Sequence, residues 1–109
     1  PCTNMCPTLV TRGGAPVVAA GAAGGTRIPN SMFEVLLNRV ALDAPLETAL
    51  SSPRLDTNGT PSVGLEKKHT PEDEAFFQRR GYAVTRVTPA YVSAVSFDPK
   101  TGRAGGQAL

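Results

Sequence analysis

Two short apolar stretches, Pro7–Thr11 and Pro16–Ala20, flank Arg12-Gly13-Gly14-Ala15. Paired glycines supply the left-handed backbone that a tight turn requires, so the spacing predicts a β-hairpin. A glycine-rich stretch, Gly21-Ala22-Ala23-Gly24-Gly25-Thr26-Arg27, follows and reads as a loop. Phe33, Leu36, Leu37 and Val40 then fall at the i, i+3, i+4, i+7 spacing of a helix face. The unit is strand, glycine loop, helix. Pro45 at a first helical position, with Leu46 and Leu50 one turn apart, predicts a second short helix that Ser51-Ser52-Pro53 ends. Residues 54 to 62 carry no period and read as irregular.

Val63–Glu66 is predicted to be a strand. Thr70-Pro71-Glu72-Asp73 has the chemistry of a helix start, with a hydroxyl cap, proline at the first position and acids in the first turn. That helix is predicted to end at Gly81, behind Arg79 and Arg80, where positive charge complements the helix dipole. Ala83–Val87 and Val92–Phe97 alternate apolar with small or polar residues, and Asp98-Pro99-Lys100-Thr101-Gly102 forms a turn into a last short strand. The fold class is α+β, with helices on a mainly antiparallel sheet.

Length and charge narrow the classes. A chain of 109 residues makes one domain at most. Its eleven basic residues are scattered among nine acidic ones for a net charge of +2, so no stripe exists to follow a phosphate backbone, and nucleic acid is not an expected partner. Apolar runs such as Pro16–Ala20 fall far short of the roughly 20 residues that span a bilayer, so no membrane helix is expected. The chain opens on Pro1-Cys2 without a leader, from which the natural N-terminus is expected to lie upstream. In an extended chain the Cα atoms of Cys2 and Cys6 lie about 13 Å apart, beyond the roughly 7 Å a disulfide tolerates. Two buried free thiols are expected, and two sulfurs alone make a poor metal site.

The glycine stretch carries the chemistry. Backbone N–H groups at a helix N-terminus are unpaired and partly positive, and they favour an anion, either a phosphate or a transient oxyanion of acyl transfer. The letters lack the G-x-G-x-x-G of a dinucleotide loop and the Lys-Ser or Lys-Thr of a P-loop. A structural turn that only packs strand on helix is the other reading. The single histidine, His69, precedes a helix cap and has no triad around it in sequence; it reads as a surface residue at a helix entrance. Glu72, Asp73 and Glu74 are adjacent, point apart around a helix and read as dipole partners. Phe76 and Phe77 read as packing residues, and Lys67-Lys68 and Arg79-Arg80 as solvated faces.

Met5-Cys6-Pro7-Thr8-Leu9-Val10 and Gly24-Gly25-Thr26-Arg27-Ile28 resemble the M-S-P-T-[IL]-V and P-G-G-S-R-I motifs of gamma-glutamyltransferases, at a similar separation. Ser52-Pro53-Arg54 resembles that family's A-P-R, Leu65-Glu66 its V-E, and Phe76–Val84 its L-x-x-R-G-H-x-V. The likeness covers nearly the whole chain. It implies part of a four-layer αββα sandwich of the N-terminal-nucleophile hydrolase class, and residues 1–109 as a single C-terminal segment of such a domain. In these enzymes a precursor cuts itself, and the new N-terminal threonine attacks a gamma-glutamyl amide with its own α-amino group as base.

That threonine lies upstream of the M-S-P motif, so the resemblance places it before Pro1 and predicts that this chain alone is inert. Gly24 and Gly25 match the glycines whose N–H groups form the oxyanion hole, and Thr3 and Asn4 match two serines that bind the substrate's α-carboxylate. The Thr-Asn pair still donates hydrogen bonds, but its amide and bulk differ from two serine hydroxyls. Ala22-Ala23 stands where the family has Ser-Pro, and Ala104–Leu109 lacks its Asp-Pro-Arg. The partners implied are the upstream portion of the precursor and a small gamma-glutamyl substrate such as glutathione. No cofactor or metal is called for, and a family-like location is periplasmic or extracellular. A non-catalytic interaction module with the same partial fold and a nucleotide-binding protein are the rival classes.

Overall fold

The computed structural model describes residues 6–108, which form two compact units. One runs to Ser52 and resumes at Ala90; the other is Pro53–Pro89.

In the first unit, strands β1 (Thr8–Arg12) and β2 (Ala15–Ala23) make the predicted hairpin. Gly13 and Gly14 turn it with φ of 60° and 82°, the positive pair that a tight hairpin of right-handed twist needs. Strand β2 pairs with β6 (Tyr91–Asp98), and β6 with β7 (Arg103–Ala108), giving an antiparallel sheet of order β1-β2-β6-β7. Gly21, Ala22 and Ala23 belong to β2 rather than to a loop, paired with Ser93, Val92 and Tyr91. Small residues serve the strand here: Ala20 and Ala22 lie against the helices and let them approach closely.

Helix α1 (Ile28–Leu36) continues through a π-helical turn, Leu37–Ala41, and α2 (Leu46–Ser51) follows with Pro45 as its cap rather than its first residue. The buried face of α1 is Ile28, Ser31, Met32 and Val35, packed with Ala49, Leu50, Val92 and Ala94. Of the predicted stripe only Leu36 packs against this core; Phe33 is 64% exposed, and Leu37 and Val40 are exposed as well. Alternation along β6 buries Val92 and Ala94 under the helices and leaves Tyr91, Val95 and Phe97 exposed on the opposite face, where Leu9 of β1 is also exposed. One face of this sheet is therefore apolar and uncovered within the unit.

In the second unit, β3 (Leu55–Thr57), β4 (Ser62–Glu66), α3 (Pro71–Arg79) and β5 (Ala83–Val87) form a three-stranded sheet with a helix. Strand β3 lies in the segment read as irregular; three residues are too few to show a period, and they form a strand because β4 pairs with them. The β4–β5 pair is parallel, with α3 as its crossover. Val63 and Leu65 are buried on β4.

Helix α3 starts as predicted with a reciprocal capping box between Thr70 and Asp73. It ends at Gly81 (φ 88°) in a Schellman motif, with the Tyr82 N–H on the Phe77 carbonyl and the Gly81 N–H on the Gln78 carbonyl. Phe77 sits edge-on between Phe76 and Tyr82, and the Arg80 guanidinium stacks 3.6 Å from the Phe76 ring centre instead of being merely solvated.

Candidate active site

Strand β2 ends at Ala23, and the chain turns through Gly24 and Gly25 into a 3-10 turn (Gly25–Arg27) that leads straight into α1. The turn needs two consecutive positive φ angles, 140° at Gly24 and 64° at Gly25, and glycine meets both without a Cβ penalty. The Gly24 carbonyl accepts from the Arg27 N–H at 3.4 Å, and the Gly25 carbonyl from the Ile28 N–H. The carbonyls thus point along the helix, while the amides at its start lie in the first turn, which has no intrahelical acceptors to offer them. Pro29 fits that turn for the same reason. Gly24, Gly25 and Thr26 are exposed and lie at the positive end of the α1 dipole. Neither N-cap residue, Gly24 for the 3-10 turn or Arg27 for α1, makes a side-chain capping bond.

The two glycines differ in their surroundings. A Cβ on Gly24 would lie 2.8 Å from the Ala90 Cα and 2.9 Å from its Cβ, whereas a Cβ on Gly25 would meet none of the described residues beyond its chain neighbours within 4 Å. Gly24 is held by close backbone approach, and Gly25 only by its φ. Behind the turn, Ser31 is buried and its Oγ accepts the Ala90 N–H at 3.2 Å. Sequence reasoning passed over both Ser31 and Ala90. A serine between Ile28 and Met32 on a helix face otherwise apolar was the available signal.

Thr3 and Asn4, the predicted carboxylate binders, and Cys2 lie outside the described residues. Cys6 is exposed with a free thiol, not buried as expected, at a positive φ of 49° just before β1. Among the described residues, no group of three or more His, Cys, Asp or Glu side chains could hold a metal ion.

His69 is not the surface residue that the sequence suggested, since its side chain is only 15% exposed. Its Nδ1 lies 3.0 Å from the Asp73 carboxylate and its Nε2 3.1 Å from the Arg54 carbonyl. The ring therefore ties the start of α3 to the strand region opening at Arg54, and no hydroxyl or thiol stands against it among its hydrogen-bond partners. Hydrogen bonds from His69 and from the Thr70 backbone N–H hold the Asp73 carboxyl below its ordinary range. Glu74 is more specific than a dipole partner, pairing with Arg86 at 3.0 Å, while Arg86 also donates to the carbonyls of Glu66 and His69.

A groove of about 530 Å³ lies at the other end of β2, lined by residues including Arg12, Val18, Arg39, Val40, Phe97 and Lys100. Neither Gly24 nor Gly25 reaches it, and it holds no nucleophile paired with a base. The glycine turn lies outside this groove, at the start of a helix, where backbone amides favour an anion.

Residues 1–107 match the family model described as Gamma-glutamyltranspeptidase. The chain is 32% identical over 88 residues to a glutathione hydrolase proenzyme of Arthroderma benhamiae, an alignment covering 79% of this chain and 15% of that protein. The fold is similar to the crystal structure of a mutant Helicobacter pylori gamma-glutamyltranspeptidase, with a TM-score of 0.87 and 25% identity over 100% of this chain and 60% of that one. It is also similar to a gamma-glutamyltranspeptidase from Pseudomonas nitroreducens, with a TM-score of 0.88 and 24% identity, covering 98% of this chain and 57% of that one. The α+β class, with mainly antiparallel sheets and flanking helices, agrees with both structures. The chain spans only a small part of the glutathione hydrolase proenzyme, 15% of its length.

Proposed function

This chain belongs to the gamma-glutamyltranspeptidase family, and on that premise we propose that it supplies the oxyanion-binding part of an enzyme that moves a gamma-glutamyl group to water or an amine. The observation that carries the reading is the Gly24-Gly25 turn: two left-handed glycines that open a helix, exposed, with their carbonyls engaged in the turn. In acyl transfer a nucleophile adds to the gamma-carbonyl carbon, and the carbonyl π electrons move to oxygen. Amides already aimed at that oxygen stabilise the charge as it forms and need no reorganisation.

The nucleophile in this reading is an N-terminal threonine of the longer polypeptide, whose hydroxyl proton passes to its own α-amino group and then to the departing amine. Collapse of the tetrahedral species breaks the amide and leaves a gamma-glutamyl ester. Water or an acceptor amine then cleaves that ester by the same route. The imidazole of His69 is committed to Asp73 and to the Arg54 carbonyl, which favours a base from elsewhere. Thr3 and Asn4 take the donor's α-carboxylate, and a glutathione-like donor follows from the relative's name. The exposed apolar face of the first sheet, with Leu9, Tyr91 and Val95, suits it to packing against the rest of the polypeptide.

The test is turnover of a gamma-glutamyl anilide by the complete protein and by residues 1–109 alone. The complete protein is expected to release the aniline, and the 109-residue chain to stay at the uncatalysed rate. Turnover by the chain alone that survives repurification overturns the placement of the nucleophile. No turnover by the complete, self-cleaved protein overturns the acyl-transfer reading.

A further inference from the structure

Two contacts and the chain itself close a ring around the glycine turn. The turn runs directly into α1. One turn into α1, the buried Ser31 Oγ accepts the N–H of Ala90 at 3.2 Å. Ala90, just ahead of β6, stands so close to Gly24 that a Cβ there would be 2.8 Å from the Ala90 Cα. The Ser31–Ala90 hydrogen bond and the Ala90–Gly24 approach thus link helix, strand entrance and turn.

Ser31 is the one polar residue on the buried face of α1, which it shares with Ile28, Met32 and Val35. An apolar residue would fill that place equally well for packing. Its hydroxyl instead fixes the height of Ala90 over the sheet, and the body of Ala90 forms the wall against which Gly24 adopts φ 140°, ψ 23°. Rotation about the Gly24 φ and ψ re-aims the Gly25 N–H, so the position of the wall governs where that amide points.

We propose that Ser31 is a positioning residue: through Ala90 it sets the orientation of the Gly24 and Gly25 amides, without touching the substrate. The inference rests on the oxyanion reading of those glycines and deepens it. Preorganised donors lose their advantage when misaimed, and a misplacement on the order of 1 Å costs about 100-fold in rate. A residue that only stabilised the fold would alter the amount of active protein and leave each surviving site at full speed.

The experiment uses the complete enzyme and counts active sites by covalent titration, so that folding losses drop out. Ser31→Ala, Ser31→Thr, Ala90→Gly and Gly25→Ala are compared for kcat per site, KM, and affinity for a boronate analogue of the donor, whose bound form is tetrahedral and anionic. Ser31→Ala is expected to lower kcat per site by about 10- to 100-fold and to weaken the boronate by a similar factor, with KM changing less than about threefold. Ser31→Thr, which keeps the hydroxyl, restores most of kcat. Ala90→Gly keeps the amide donor and removes the methyl of the wall; it lowers kcat and boronate affinity in the same sense.

Unchanged kcat per site and boronate affinity in Ser31→Ala overturn the proposal, whatever happens to its melting temperature. If Ser31→Ala yields no folded enzyme, an unaltered boronate affinity in Ala90→Gly overturns it instead. Gly25→Ala separates the two layers. Loss of kcat there with Ser31→Ala intact removes only the positioning role, while an intact Gly25→Ala removes the oxyanion reading and the proposal with it.

Discussion

The His69 Nδ1 lies 3.0 Å from Asp73 Oδ2, and the same carboxylate oxygen accepts the Thr70 N–H at 3.1 Å. One oxygen thus serves both a side-chain staple and a helix capping box. The hydrogen bond from His69 is the larger cause, and the Thr70 amide the next, of the carboxyl being held below its ordinary value of 3.8.

A carboxyl whose pKa falls on folding adds stability above the unfolded value, and that stability is lost as pH falls through the folded one. Asp73→Asn keeps an oxygen for Thr70 and removes the charge. The gap in unfolding free energy between the parent and Asp73→Asn is therefore expected to hold above about pH 5 and to shrink below about pH 4, as read by urea denaturation. A gap that persists unchanged to about pH 2 would show that the ionised carboxylate contributes nothing.

Gly64 lies on β4 with no room for a side chain. An added Cβ would be 2.8 Å and 2.9 Å from the two γ-methyl carbons of Val87 on the parallel neighbour β5. Valine is stiff about χ1 and cannot swing both methyls away. Gly64→Ala is expected to destabilise the protein by about 1–3 kcal/mol, the usual range for overpacking. Adding Val87→Ala should recover part of that loss, giving a favourable coupling in a double-mutant cycle. Strict additivity would refute the contact.

Thr3 and Asn4 are tested in the complete enzyme by changing both to serine. The pair is expected to raise kcat/KM for donors with a free α-carboxylate and to leave donors lacking it unaffected. A flat or falling value for the carboxylate-bearing donor removes the binding role from these positions.

Much of the fold was legible because local chemistry and tertiary structure agree. Gly13-Gly14, Thr70 to Asp73 and Gly81 each demand one backbone conformation, and each has it. The failures share a cause, which is competition between two acceptable patterns. Along α1 and the π-helical turn after it, Phe33, Leu37 and Val40 form as regular a stripe as Ile28, Met32 and Val35, and periodicity alone does not say which stripe faces the sheet. Gly21 to Ala23 looked like a loop because small residues serve turns, yet here they serve the close packing of a helix on β2. Strand β3 exists only through its pairing with β4. At the candidate site, Gly24 and Gly25 were visible from their type and place. Ser31 left one trace, a hydroxyl on an otherwise apolar helix face, but nothing local pointed to its partner Ala90, 59 residues away.

The central claim is that the glycine amides stabilise the oxyanion, and Gly25→Ala in the complete enzyme tests it most directly. Among the described residues, none beyond its chain neighbours lies within 4 Å of the added Cβ, so the change acts through the backbone, by driving φ away from 64° and re-aiming the amide. The left-handed strain that drives this shift is only about 1–2 kcal/mol, so the melting temperature falls only modestly. Loss of one oxyanion donor costs about 100- to 1000-fold in kcat. The measurement is kcat per titrated active site with a gamma-glutamyl anilide, read beside KM and Tm. The account predicts a fall in kcat of that order with KM nearly constant. A near-normal kcat accompanied by a large drop in Tm would contradict it and make Gly25 a packing residue.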